Sequence, residues 1–138
     1  MRILVTGHSG LLGTDLVPVL NRGHEVHGCS LPERDITDPA VARRAVADCG
    51  AELVIHAAAY TAVDECEKNP DLAFRVNALG TRNMVLAARA AGAAFCYVST
   101  DYVFDGRKGS AYLEYDPVQP LGVYGLSKWG GEQYVRYL

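Results

Sequence analysis

Short apolar runs along this chain alternate with longer segments whose apolar residues recur every three or four positions. Residues 2–6, RILVT, are an apolar run closed by Gly7, the pattern of a buried parallel strand. From 10 to 22, Leu12, Leu16, Val19 and Leu20 share one helical face. Pro18 sits inside that helix, where its missing N–H predicts a kink or a cost of about 3 kcal/mol. EVHGC (25–29) reads as a second strand. A second helix opens at Asp38-Pro39, with Asp38 as cap and Pro39 as first helical residue, runs to Cys49 and stops at Gly50. ELVIHA (52–57) is a third strand, and 64–91 is helical, restarted at Asn69-Pro70 and ended by Gly92. FCYVS (95–99) is a fourth strand. Residues 101–121 hold two prolines, two glycines and no period, so they predict a loop, and 123–137 a final helix.

Strands separated by helices require crossover connections, hence an α/β fold: a doubly wound parallel sheet with helices on both faces. Four strands in this pattern suit the first half of a Rossmann-like NAD(P)-binding domain filling residues 1–138, with predicted strand order 3-2-1-4. A complete sheet of that kind adds strands beyond the fourth. FCYVS is then an uncovered apolar edge, which proteins normally avoid. The expectation is a truncated domain whose C-terminal substrate-binding part is absent, and which self-associates through that edge, as a homodimer or as a larger aggregate.

Composition narrows the partners. A net charge of -3 and an isoelectric point near 5.7 argue against nucleic acid and against an anionic membrane surface. No apolar run approaches the ~18 residues needed to cross a bilayer. The start, MRILVTGHSG, enters a strand directly without a signal-peptide layout, which points to the cytoplasm. Cys29, Cys49, Cys66 and Cys96 lie far apart and read as reduced thiols, mostly core filler; no His joins them at metal-ligand spacing. Asp64, Glu65 and Glu67 sit early in a helix, where acids favour the dipole, so no metal site is read from them.

The chemistry lies in a few stretches. Gly7, Gly10 and Gly13 in GHSGLLG follow a strand and open a helix. That context permits a tight turn, close backbone approach to a pyrophosphate, and a helix N-terminus aimed at the phosphates. His8 fills a non-glycine slot of this loop. At the end of the second strand, where a carboxylate would select NAD through the ribose 2′-hydroxyl, stands Ser30, with no acid before Glu33. NADPH is therefore expected to be accepted beside NADH, with Glu33 or Arg34 also within the loop. The third strand delivers HAAAYT (56–61), small residues against which a flat cofactor can lie; His56 reads as a hydrogen-bonded structural residue. The fourth delivers Ser99, Thr100 and Asp101. Tyr124 and Lys128 stand one turn apart on the last helix, a proton donor beside a cation able to lower its pKa.

GxxGxxG at the start with YxxxK late resembles the extended short-chain dehydrogenase/reductases of nucleotide-sugar metabolism. DITD (35–38), HAAAYTAVDECEKNPDLAFRVNALGT (56–81), STDYVFDG (99–106) and YLEYDPVQPLGVYGLSKWGGE (112–132) resemble, within them, the dTDP-4-dehydrorhamnose reductase family. That resemblance implies reduction of the 4-keto group of dTDP-4-dehydro-L-rhamnose with NADPH or NADH. It implies Tyr124 as proton donor, Lys128 as the residue depressing its pKa and bonding the nicotinamide ribose, and Thr100 as a ligand of the carbonyl oxygen. Gly10, Leu11 and Leu12 would line the pyrophosphate, Asp35 and Ile36 flank the adenosine, and Ala59, Tyr60 and Thr61 lie along the cofactor. Asp101 would contact the sugar. Two alternatives share the scaffold: a non-catalytic subunit resembling the regulatory subunit of methionine adenosyltransferase, and another nucleotide-sugar epimerase or dehydratase. Intact Thr100, Tyr124 and Lys128 favour the enzyme over the first. Tyr102 after Asp101, where dehydratases usually place a second acid, disfavours a dehydratase.

Overall fold

The computed structural model describes residues 1–32 and 34–138. Four strands, β1 (Arg2–Thr6), β2 (Glu25–Cys29), β3 (Leu53–His56) and β4 (Ala94–Tyr97), form one parallel sheet. The helices are α1 (Leu11–Leu20), α2 (Pro39–Cys49), α3 (Val63–Lys68), α4 (Pro70–Phe74), α5 (Thr81–Ala91) and α6 (Val123–Tyr137), with a π-helical turn over Arg75–Gly80. Ile3, Leu4 and Val5 of β1 are buried, each contributing about 1.5–3 kcal/mol by leaving water.

The strand order is β2-β1-β3-β4, which corrects the predicted 3-2-1-4. The chain's third strand does not lie outside its second. It pairs with the other edge of β1, placing Leu4 between His27 and Val54. The reason is the crossover through α2, which passes back over β1. Right-handed crossovers put α1 on one face and α2, α5 and α6 on the other. Chain direction across the sheet reverses between β1 and β3, and a crevice opens there at the strands' carboxyl ends.

The second helix follows its sequence signals residue by residue. Asp38 Oδ1 accepts from the Ala40 and Val41 N–H groups at 2.7 and 3.4 Å, Pro39 stands in the first turn, and Gly50 caps the end in the left-handed region. α2 packs on α5, and Ala42, Ala45, Val46, Met84, Ala87 and Ala88 join Leu4 and Val54 in the core. α1 runs two residues past Pro18 and ends at Leu20; of its predicted apolar face, Leu12 and Val19 remain exposed. The expected restart at Asn69-Pro70 separates α3 from α4. Cys29 and Cys66 are buried, Cys49 is partly buried and Cys96 is exposed, all as free thiols.

α6 is held by contacts from three elements. The Val123 N–H, in its first turn, donates to Glu67 Oε1 of α3 at 2.7 Å. Gly125 lies so close to the Tyr102 carbonyl that a methyl group there would collide with it. A methyl at Gly131 would stand 2.7 Å from the Asn77 carbonyl oxygen. Within the predicted loop, Asp101–Val103 forms one 3-10 turn, and the Tyr112 hydroxyl donates to Asp105 Oδ1 at 2.7 Å. Among the described residues no helix is long and apolar enough to cross a membrane.

Candidate active site

At the switch point between β1 and β3 lies a cleft of about 570 Å³. Gly7, Gly10, Leu11, Leu12 and Gly13 form one wall. Gly7 adopts φ 71°, and a methyl on it would meet the Ala58 nitrogen at 2.8 Å, so this turn requires glycine. Its N–H donates to the Cys29 carbonyl at 2.7 Å, and the Gly10 N–H donates back to the Gly7 carbonyl at 3.0 Å. A methyl at Gly13 would stand 2.5 Å from His8 Cα, so helix and loop touch backbone to backbone. Gly10, the N-cap, offers no capping side chain, and the first turn of α1 carries no acid. The N–H groups of that turn are left to meet an anion at the positive end of the helix. This cradle fits a dinucleotide pyrophosphate.

The next wall holds Ser30, Arg34, Asp35 and Ile36. Ser30 Oγ lies 2.9 Å from His8 Nδ1 and accepts from the Ser9 N–H at 3.3 Å. His8, read as a filler from sequence, thus bonds the residue expected to read the ribose, and its ring leaves no room for a side chain at Gly28. Arg34 pairs with Asp48 at 3.7 Å. Asp35 Oδ1 accepts from the Thr37 N–H at 2.9 Å, an Asx turn. Glu33 lies outside the described residues.

Ala57, Ala58, Ala59 and Thr61 form the floor, facing Val98, Ser99, Tyr124 and Lys128. Tyr60 does not line the cleft with them. Its backbone is clamped by Asn77, whose Oδ1 accepts from the Tyr60 N–H at 2.7 Å and whose Nδ2 donates to the Tyr60 carbonyl at 3.0 Å. Lys128 is 2% exposed. Its Nζ donates to the Val98 carbonyl at 2.6 Å and stands 4.2 Å from the centre of the Tyr97 ring. Burial lowers its pKa to about 8, against the pull of Glu132. The Tyr124 phenol is pushed above its ordinary value, chiefly by burial, while the Thr100 hydroxyl beside it pulls the other way. The Lys128 ammonium is directed at the Val98 carbonyl and the face of the Tyr97 ring.

Thr100 and Asp101 lie outside the cleft wall. Thr100 Oγ1 accepts from the Tyr102 N–H at 3.3 Å, capping the 3-10 turn. Asp101 lines a second cavity of about 470 Å³ with Val63, Tyr102, Phe104, Asp105 and Tyr112. Tyr102 packs edge-on against Tyr124, with ring centres 5.5 Å apart, and so stands between the two cavities. Of the acids considered for a metal, Glu65 pairs with Lys68 and Glu67 holds the start of α6.

A buried polar chain beneath the floor was not read from the sequence. The Thr81 hydroxyl donates to the Asn77 carbonyl at 2.7 Å, so its oxygen accepts from His56 Nε2 at 3.1 Å. Nδ1 of the same ring then accepts from the Thr6 hydroxyl at 2.6 Å, and Thr6 Oγ1 accepts from the Ala58 N–H at 3.2 Å. His56 is thereby a neutral Nε2–H tautomer, as a structural histidine should be. Burial first, and the charge of Lys128 second, bring its pKa down to about 3. Asn77 Nδ2 also donates to Ser127 Oγ at 2.9 Å, and Ser127 donates to the Tyr124 carbonyl at 2.8 Å. One side chain therefore links the floor to the helix bearing Tyr124 and Lys128. The available signal was the polar pair Asn77 and Thr81, four residues apart in the helical stretch 64–91.

Over residues 1–138 the sequence matches the family model described as the RmlD substrate binding domain. A dTDP-4-dehydrorhamnose reductase of Streptomyces griseus is 47% identical over 135 residues, 97% of this chain and 44% of that protein. The crystal structure of dTDP-4-dehydrorhamnose reductase from Bacillus anthracis in complex with NADP superposes with a TM-score of 0.95 at 39% identity, covering 99% of this chain and 49% of that one. A Thermus thermophilus UDP-glucose 4-epimerase in complex with NAD superposes with a TM-score of 0.90 at 30% identity, covering 99% and 50%. The chain spans about half the length of the relatives it matches.

Proposed function

The chain belongs to the RmlD substrate-binding domain family, and from that membership we propose that it carries the cofactor-binding and proton-donating part of an NAD(P)H-dependent reductase of dTDP-4-dehydro-L-rhamnose, yielding dTDP-L-rhamnose. The observation that carries the reading is one cleft holding both the glycine cradle and the Tyr124/Lys128 pair. Gly10, Leu11, Leu12 and Gly13 hold the pyrophosphate, Ser30 with His8 meets the adenosine ribose, and the alanine floor supports the nicotinamide end. A bound nicotinamide supplies the hydride. Tyr124 gives its phenolic proton to the oxygen formed at C4 of the sugar, and Thr100 donates a hydrogen bond to that oxygen. Lys128, an ammonium at neutral pH, holds the ribose and stabilises the phenolate left behind.

The sugar lies toward the second cavity, whose aromatic rings and carboxylates suit the apolar faces and hydroxyls of a pyranose. Ser30 in place of an acid supports use of both NADPH and NADH. The reaction belongs in the cytoplasm, consistent with four free thiols, and the one-sided pairing of β4 supports homodimerisation through that edge.

Two measurements test the proposal. Calorimetric titration of the chain with NADPH and NADH is expected to show binding to both, and no heat with either would refute the cleft assignment. Protein carrying this chain at its relatives' full length is expected to oxidise NADPH when given dTDP-4-dehydro-L-rhamnose, followed at the nicotinamide absorbance band. A rate no higher than that of its Tyr124→Phe variant would refute the reductase.

A further inference from the structure

α6 carries three functional groups on one stripe, Tyr124, Lys128 and Glu132, at four-residue spacing. The third is outside the proton-donating pair, yet it makes a contact of its own: the Ser99 hydroxyl donates to Glu132 Oε1. Ser99 lines the cleft at the end of β4 and immediately precedes Thr100. The same strand end supplies the Val98 carbonyl that accepts from Lys128 Nζ, and β4 supplies the Tyr97 ring on which the ammonium rests. Two consecutive residues, Val98 and Ser99, are thus tied to α6 through Lys128 and Glu132.

The charges around Lys128 make this tie more than mechanical. From β3 it faces His56, which is neutral. From β4 it faces Tyr97, whose phenol burial pushes far above its ordinary value. On its own helix it has Tyr124, also raised and neutral, and Glu132. Asp101 raises Tyr124 further. Among the described residues, Glu132 is the anion that opposes desolvation of the ammonium.

We propose that Glu132 is a positioning residue of the active site: clamped by Ser99, it fixes the end of β4 against α6 and supplies the negative charge that keeps buried Lys128 an ammonium. Removing the charge leaves Lys128 with a carbonyl and an aromatic face, neither of which carries a formal charge to stabilise it. The ammonium then gives up its proton closer to neutral pH, and the hold on ribose and phenolate is lost from the alkaline side first. The inference deepens the proposed reductase and takes its catalytic meaning from that reading. Its test reads Lys128 without cofactor or substrate, so the two can fail separately.

The chain has only three lysines, Lys68, Lys108 and Lys128, so selective labelling with ¹³C and ¹⁵N resolves each side chain by NMR. In the wild type, the Lys128 Cε and Nζ signals are expected to titrate near pH 8, and to show a second, smaller step at the midpoint of the Glu132 carboxyl, read at its own Cδ. Glu132→Gln keeps an acceptor for Ser99 and removes the charge; it is expected to lower the Lys128 midpoint by about one pH unit. An unchanged midpoint in a folded Glu132→Gln variant overturns the proposal. The wild-type arm needs no variant: Lys128 signals that do not respond when Glu132 titrates overturn it equally.

Discussion

His56 makes the fold sensitive to acid in a window where few other groups change. The ring is fully buried between two threonine hydroxyls, one donating to Nδ1 and one accepting from Nε2, and its pKa is about 3 against an ordinary 6.5. A proton added at Nδ1 would face the Thr6 hydroxyl, which would have to turn its own hydrogen away in a site closed to water and already near an ammonium. Between these two pKa values the unfolded chain binds a proton that the native one refuses. Stability is therefore complete above pH 6.5 and falls as pH drops toward 3. The slope is about 1.4 kcal/mol per pH unit, so about 2 kcal/mol is lost by pH 5. Lys128 is protonated in both states below pH 7 and does not contribute in this range. The lowered carboxyls of Asp105 and Asp116 matter only below the ordinary carboxylate range. Urea denaturation at half-unit steps between pH 7.5 and 5 should show this loss in the wild type and a flatter profile in His56→Gln, whose amide can still face both threonines. Parallel profiles for the two proteins would refute the buried neutral tautomer.

Two further outcomes test local features. Asp38→Ala removes the cap of α2 and should cost about 1 kcal/mol in the urea midpoint with cofactor binding intact; no change would mean the cap contributes nothing. Gly13→Ala drives a methyl into the phosphate loop, so it should abolish NADPH binding and cost about 1–3 kcal/mol of stability. Calorimetry showing wild-type affinity for that variant would contradict the backbone-to-backbone contact of loop and helix.

The parts legible from the sequence are those with local physical causes. Asp38, Pro39 and Gly50 bound α2 because capping, a preset φ and a left-handed terminus act within a few residues. The glycine loop was legible for the same reason, since strand, turn and helix follow one another directly. The strand order was not, because the edge that β3 joins depends on how α2 crosses β1, and no residue near β3 signals it. The family resemblance placed Tyr60 along the cofactor, but the distant Asn77 decides where its backbone sits. Likewise, the spacing of Tyr124 and Lys128 foretold a shared face and not the direction of the ammonium, which the end of β4 controls.

Asn77 can reach Tyr60 and Ser127 together because it sits in the π-helical turn Arg75–Gly80. A π turn accommodates an extra residue without adding a turn, so it resets the angular phase of the helix running through it. α4 and α5 are thus out of step in residue count, like gears with a slipped tooth. Losing a single residue there would close the bulge into ordinary α-helix and leave α4 and α5 in the same relative rotation. Asn77 would then lose the bulged backbone from which it reaches the floor and α6 together. In this segment one spare residue sets the reach of a single side chain, and its loss acts on the site even when every residue lining the cleft is unchanged.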